Sequence, residues 1–407
     1  MGRLTLAGVA ILVVGGGCRE RAKVVESEAA TRALVRRLEA QAEQSTGLHF
    51  KRPVAVRLRT RAQVRSYIVH KFDQDLPPPQ LAGAQAAYRL FGLIPDSLDL
   101  RRTIVDLLTE QVAGYYDPDS TALFIPTDQE DPAQVRLVAS HELVHALQDQ
   151  YLPLDSIINQ RGQNDRRSAG QAVLEGQATF YQFSILMPEQ HPESLPAQWF
   201  WRQRAAIAQL QSQMPAFSGA PLWLRETLIF PYLGGADFVA WFVRTHHKQE
   251  PYGAAMPTST EQILHPDRYA AGDQPLALAF SGGVGDSVRY EDVLGEFEIG
   301  LLLSQLQHDS TGNAGRGAAQ GWGGDRYRVY GAHADALVWY SVWDDAAARD
   351  RFLHALVPAW AARRAGDTAR RYRVEPLTVD GRPGVRLVDA PPSWAGWRAL
   401  PGVKVLP

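Results

Sequence analysis

Apolar and polar positions alternate over Pro53-Val54-Ala55-Val56-Arg57-Leu58-Arg59, the period-two signature of a half-buried strand. Before it, Val24 to Gln44 is charged, Ala-rich and helix-compatible, with Gly47 as a stop. After it, Ala62 to Lys71 reads as a short helix, and Pro77-Pro78-Pro79 ends any regular element. Leu98 to Val112 reads as another helix. Gly114 to Ser120 then turns into Leu123-Phe124-Ile125, a hairpin with its return strand. The next helix has a marked start, with Asp131 as the cap, Pro132 at the first helical position and Gln134 three after the cap. It runs uninterrupted from Ala133 to Tyr151 and stops before Pro153, and a second helix covers about Ala169 to Met187.

Downstream the pattern predicts a helix over Glu226 to Thr245, partly broken at Pro231 and Gly234-Gly235, and another near Tyr290 to Gln307. A Gly-rich link, Gly312 to Gly324, precedes the strand Arg326 to Tyr330. Leu337 to Trp343 reads as a strand, Ala346 to Leu356 as a helix, and Tyr372 to Val388 as a hairpin around Asp380-Gly381.

Composition adds limits. The 407 residues are 45% hydrophobic, enough for a substantial core, and the formal net charge of −2 gives no basic excess of the kind that marks a nucleic-acid partner. The one cysteine, Cys18, closes a segment with Arg3 near its start, a mostly apolar run over residues 4–14, and Gly15-Gly16-Gly17. That run is too short to span a bilayer comfortably and fits a secretory signal. Small residues leading into a lone cysteine resemble a bacterial lipoprotein signal, with Gly15 where an aliphatic residue is usual. The resemblance implies a signal over residues 1–18, a lipid on Cys18 that tethers the chain to a membrane, and an exported protein of the bacterial cell envelope.

The chemistry concentrates in His141-Glu142-Leu143-Val144-His145. Histidines four apart on a helix share a face, so their ring nitrogens can converge on one ion. Glu142 is placed to take a proton from a water that the ion acidifies to a pKa of about 7. Leu143, Val144, Ala146 and Leu147 make the helix strongly apolar, and burying two imidazoles and a carboxylate there without partners would be costly. A bound divalent ion removes that cost. Gln148 and Tyr151 stand where the metzincin pattern needs Gly and His, which excludes that class. Glu175, 30 residues after His145, lies beside Gly176. Gly inside a helix costs about 1 kcal/mol, tolerable where another backbone must come close.

These residues resemble the gluzincin branch of the zincin peptidases. More narrowly, Gly114 to Pro118, His141 to Gln150, Glu175 to Thr179, Ser259 to Pro266 and Gly321 to Arg326 are similar to a group of predicted bacterial exported metallopeptidases. The resemblance implies one Zn2+ held by His141, His145 and Glu175, Glu142 as general base, and a polypeptide substrate. It also implies an α+β protein: a zincin-like domain over 19–280, with a small mixed sheet whose edge strand packs on the metal helix, then a helical part, and an α+β region over 281–407. Leu123-Phe124-Ile125 matches the edge strand to which a substrate peptide could add. Gluzincins also place a Tyr or His at the oxyanion, for which Tyr232 and His265 are the candidates, with Tyr115 and Tyr116 further possibilities. Asp149, four after His145, could support that ligand or sit in a surface ion pair. The competing function is a catalytically silent, zinc-stabilised envelope binding or assembly protein, against which the intact Glu142 argues.

Overall fold

The computed structural model describes residues 28–128, 131–246, 249–283, 285–331 and 336–407. The expected signal segment and Cys18 lie outside these residues. Among the described residues, no helix is long and apolar enough to cross a membrane.

The chain begins with helix α1 (Glu28–Thr46) and strand β1 (Ala55–Arg59). Helix α2 (Arg61–Asp75) starts from a reciprocal cap in which Thr60 and Gln63 satisfy each other's backbone N–H groups. Helix α3 (Pro78–Phe91) was not expected from the sequence, because three successive prolines suggested only a break. They do end α2, but Pro78 then opens α3, since the first helical position needs no N–H and favours proline's φ. Helix α4 (Leu100–Gln111) is capped by Asp99, which accepts from Arg102 N–H at 2.9 Å.

Strands β2 (Tyr115–Asp117) and β3 (Ala122–Pro126) form the expected hairpin, and β1 adds parallel to β3. The order β1-β3-β2 makes Leu123-Phe124-Ile125 the central strand rather than an edge. Its residues are buried throughout, and both of its hydrogen-bonding sides are already paired. The edge beside the helix that carries His141 and His145 is β2. That helix, α5 (Pro132–Tyr151), has Asp131 accepting from Ala133 N–H at 2.9 Å and is buried on every side from Val138 to Gln148.

Helix α6 (Asn164–Leu186) starts five residues earlier than its apolar pattern suggested, and α7 (Leu222–Thr245) passes Pro231 and Gly234-Gly235 without a break. Glycine is needed where these two helices cross. A Cβ on Gly176 would lie 2.1 Å from the carbonyl carbon of Gly235, and one on Gly235 would lie 1.9 Å from the oxygen of Ala172. Backbone packs on backbone here.

The C-terminal sheet has the order β5-β6-β7-β9-β8, built from β5 (Val288–Asp292), β6 (Trp322–Tyr330), β7 (Ala336–Trp343), β8 (Arg371–Val379) and β9 (Arg382–Ala390). Its neighbours are α8 (Gly295–Leu306) and α9 (Ala346–Arg363). The predicted helix from Tyr290 is therefore split, with Tyr290 in β5, and the Gly-rich link extends only to Gly321 because Trp322 to Gly324 already pair with β7. Asp380 and Gly381 both take positive φ, 46° and 83°, which gives the β8–β9 hairpin its expected tight turn. Strand β4 (Leu278–Ser281) pairs with β10 (Gly402–Val405), so residues at the expected division near 280 are hydrogen-bonded to the last strand.

One buried apolar cluster continues from Val35 in α1 through α5, α6 and α7 to Leu387 in β9. A second, around Tyr330, Val338 and Trp394, covers the opposite face of the C-terminal sheet. The architecture is α+β.

Gly235→Ala is expected to destabilise the protein by about 3 kcal/mol or more, because the new methyl group meets backbone that cannot turn aside. Denaturant unfolding checks this, and a loss below about 1 kcal/mol would contradict the crossing.

Candidate metal centre

Helix α5 presents His141 and His145 on one face, and Glu175 reaches them from the middle of α6. His141 Nε2 and His145 Nε2 are 3.1 Å apart, and Glu175 Oε2 is 3.2 Å from each. All three residues are buried, and the group could hold a metal ion. The size of this triangle is informative. Ligands at about 2.0–2.1 Å from a tetrahedral zinc ion are separated by about 3.3 Å, so the three atoms already stand at the edges of such a tetrahedron.

The protonation pattern agrees. His145 Nδ1 donates to Gln148 Oε1 at 2.7 Å, so Nε2 is the ring nitrogen that faces the triangle and the one a metal ion would take in place of a proton. Gln148 cannot turn around, because its Nε2 donates to Leu174 O at 2.9 Å and to Gln177 Oε1 at 2.7 Å. Gln177 in turn donates to Glu250 Oε2 at 2.9 Å, and Tyr181 and Tyr252 donate to Glu250 and Gln177 respectively. Burial alone would raise the Glu175 carboxyl, but the two imidazoles hold it down at about 2. Burial pushes His141 down, whereas Glu175, Glu142 and Gln148 outweigh burial at His145 and raise it. The triangle thus favours a cation at its centre.

Glu142 is close enough for its charge to act on His145, and it also reaches the sheet. Its Oε2 accepts from Tyr116 N–H of β2 at 2.8 Å, while Oε1 is buried and has no hydrogen-bond partner among the described residues. Burial pushes this carboxyl up to about 8. A fully buried carboxyl group with one oxygen held and the other without a partner is an expensive arrangement for a purely structural residue.

The other expected residues divide. Tyr232 on α7 joins the site: its ring lies 5.7 Å from that of His141, with 28° between the planes. His265 is drawn elsewhere, with Nε2 2.7 Å from Glu296 Oε1. The Tyr115 hydroxyl takes Arg59 Nη1 at 2.6 Å, and the Tyr116 hydroxyl donates to Asp149 at 3.0 Å. Asp149 also lies 3.5 Å from Arg52. Its two candidate roles resolve toward the ion pair, and Gln148 is the residue that orients His145. In the sequence Gln148 counted only against one ligand pattern. Its position three after His145 was the available signal, one that a search for carboxylates passes over.

Residues 285–394 match a family described as "Domain of unknown function (DUF8575)". The match covers β5 to β9 with α8 and α9, and none of His141, Glu142, His145 or Glu175 lies in it. No curated protein and no solved structure matches the chain.

Two variants test the geometry. Glu175→Ala is expected to reduce stoichiometric zinc to less than a tenth per chain, measured by elemental analysis of folded protein. Gln148→Ala should weaken zinc binding by about 10–100-fold in a chelator competition. Wild-type affinity in Gln148→Ala would remove it from the support of His145.

Proposed function

We propose that the protein is a zinc-dependent peptidase that cleaves peptide bonds within polypeptides. The observation that carries this reading is the combination of the His141–His145–Glu175 triangle with the half-unpaired carboxylate of Glu142 beside it. A zinc ion held by the three residues would supply Lewis acidity and an acidified water.

The chain's own groups then have separate tasks. Tyr116 N–H fixes Oε2 of Glu142, leaving Oε1 to receive a proton from the attacking water. As the oxygen of that water bonds to the scissile carbonyl carbon, the same carboxyl can pass the proton to the amine nitrogen. The C–N bond breaks to give a carboxylate and an amine. Tyr232, stacked beside His141, is the candidate to stabilise the oxygen that gains charge. Because β2 is a sheet edge in contact with α5, it supports an extended polypeptide as substrate. Residues 1–18 remain, in this reading, an export signal whose Cys18 carries the lipid, which places the enzyme at the cell envelope.

Glu142→Gln is expected to retain zinc and lower kcat on an unstructured protein by about 10²–10⁴-fold. Turnover unchanged in this variant, or stoichiometric zinc without turnover in the wild type, would sink the peptidase reading. Tyr232→Phe should cost about 10²–10³ in kcat with zinc content unaltered, and a smaller loss would remove Tyr232 from the oxyanion role. Incorporation of labelled palmitate in the bacterial host should disappear in Cys18→Ser.

A further inference from the structure

We propose that Glu261, Asp273 and Asp344 form a second metal site, one for calcium, that fastens the region around the zinc centre to the C-terminal sheet. One carboxylate oxygen from each lies within 4.8 Å of the other two. Three carboxylates supplied by the protein suit calcium, which takes 6–8 oxygens in flexible geometry, better than magnesium, which keeps several waters and binds through one or two carboxylates. All the donors are oxygens, which selects a hard cation and contrasts with the two imidazoles of the His141 site.

The three carboxylates come from separate segments, each fixed by bonds that do not involve the carboxylates. Glu261 lies in the short helix Thr260–Leu264, capped by Ser259. Gln262 of the same helix donates to the backbone oxygen of Asp273, which sets that loop. Asp344 follows β7, and its N–H donates to Gly321 O at 2.9 Å. Arg268 spans the two aspartates, taking Oδ2 of Asp273 at 2.8 Å and Oδ2 of Asp344 at 2.6 Å.

Glu261 is the residue that these contacts do not explain. It is 3% exposed, and its Oε1 is buried with no hydrogen-bond partner among the described residues. Glu296, equally buried, lies near it and has its own Oε2 without a partner among the described residues, while Oε1 of Glu296 meets the His265 ring. Four carboxyl groups thus crowd together around Arg268. A divalent ion would offset that concentration of acidic groups. The aspartates are about one-third exposed, which leaves water access to complete the 6–8 oxygens that calcium takes.

The location gives the site a purpose. Thr260, next to Glu261, donates both N–H (3.1 Å) and Oγ1 to Asp165 in the first turn of α6, the helix that carries Glu175. Asp344 directly follows β7, the central strand of the C-terminal sheet.

The test uses zinc-loaded full-length protein, titrated with Ca2+ by calorimetry and with Tb3+ by luminescence sensitised through nearby tryptophan. The expected result is one ion per chain with a Kd between about 10⁻⁵ and 10⁻³ M, a calcium-dependent rise in Tm, and no competition by equimolar Mg2+. E261Q and D344N should each weaken binding at least tenfold while circular dichroism and zinc content stay at wild-type levels. H141A, which removes a zinc ligand, should bind calcium as wild type does, which keeps this proposal separable from the peptidase reading. Absence of calcium binding at millimolar concentration, or binding undiminished in both E261Q and D344N, would overturn it.

Discussion

Helices α6 and α7 cross with Gly176 against Gly235, close enough that a single added methyl group would enter the partner's backbone. The positions of the site residues follow from that contact. Glu175 immediately precedes Gly176, so the depth at which its carboxylate meets α5 is set by how closely α7 presses from behind. Tyr232 lies three residues before Gly235 on the partner helix, and the same approach brings its ring beside His141. A wider crossing, as side chains of ordinary size would impose, would move Glu175 and Tyr232 relative to His141 and His145 by more than an ångström. A triangle with sides of 3.1–3.2 Å does not tolerate displacements of that size.

Rigidity around the triangle also has an electrostatic side. Three buried ligand atoms directed at one point repel one another unless a proton or a metal cation lies between them. The chain absorbs the cost through a polar chain leading outward, from His145 to Gln148, Gln177 and Glu250. Each member orients the one before it, so the His145 tautomer is decided several residues away from the ring. An amide does this as well as a carboxylate would, without adding a further negative charge beside Glu175 and Glu142.

What could be read from the sequence was whatever depends on local spacing. His141 and His145 share a face because a helix repeats every 3.6 residues, and Asp131 with Pro132 marks where that helix begins. Asp380-Gly381 announces its turn for the same local reason. What could not be read depends on partners distant in the chain. Pro77-Pro78-Pro79 is a stop for α2 and a start for α3, and only the packing of Tyr88 and Phe91 into the core decides that a helix follows. Tyr290 looked helical until β6 was available to pair with it. Leu123 to Ile125 carried no sign that β1, more than sixty residues earlier, would pair with its other side and move the edge to β2. Gln148 shows the same limit within the site, since an amide three residues after a histidine gains a role only when Leu174 and Gln177 fix its orientation.

The division of labour between the two halves follows from these long-range contacts. Asp325, in β6, accepts N–H bonds from Leu294 and Gly295 at 3.0 and 2.9 Å and also holds the indole nitrogens of Trp322 and Trp339. One buried carboxylate thereby fixes the start of α8 against the C-terminal sheet. The α8 helix packs on α7, the helix that presses Glu175 into place. A disturbance in β6 would therefore reach the triangle through α8 and α7, although no residue of the sheet is a candidate ligand. The part of the chain with a family match and the part with the His141–His145–Glu175 group share one core, and each is placed by the other.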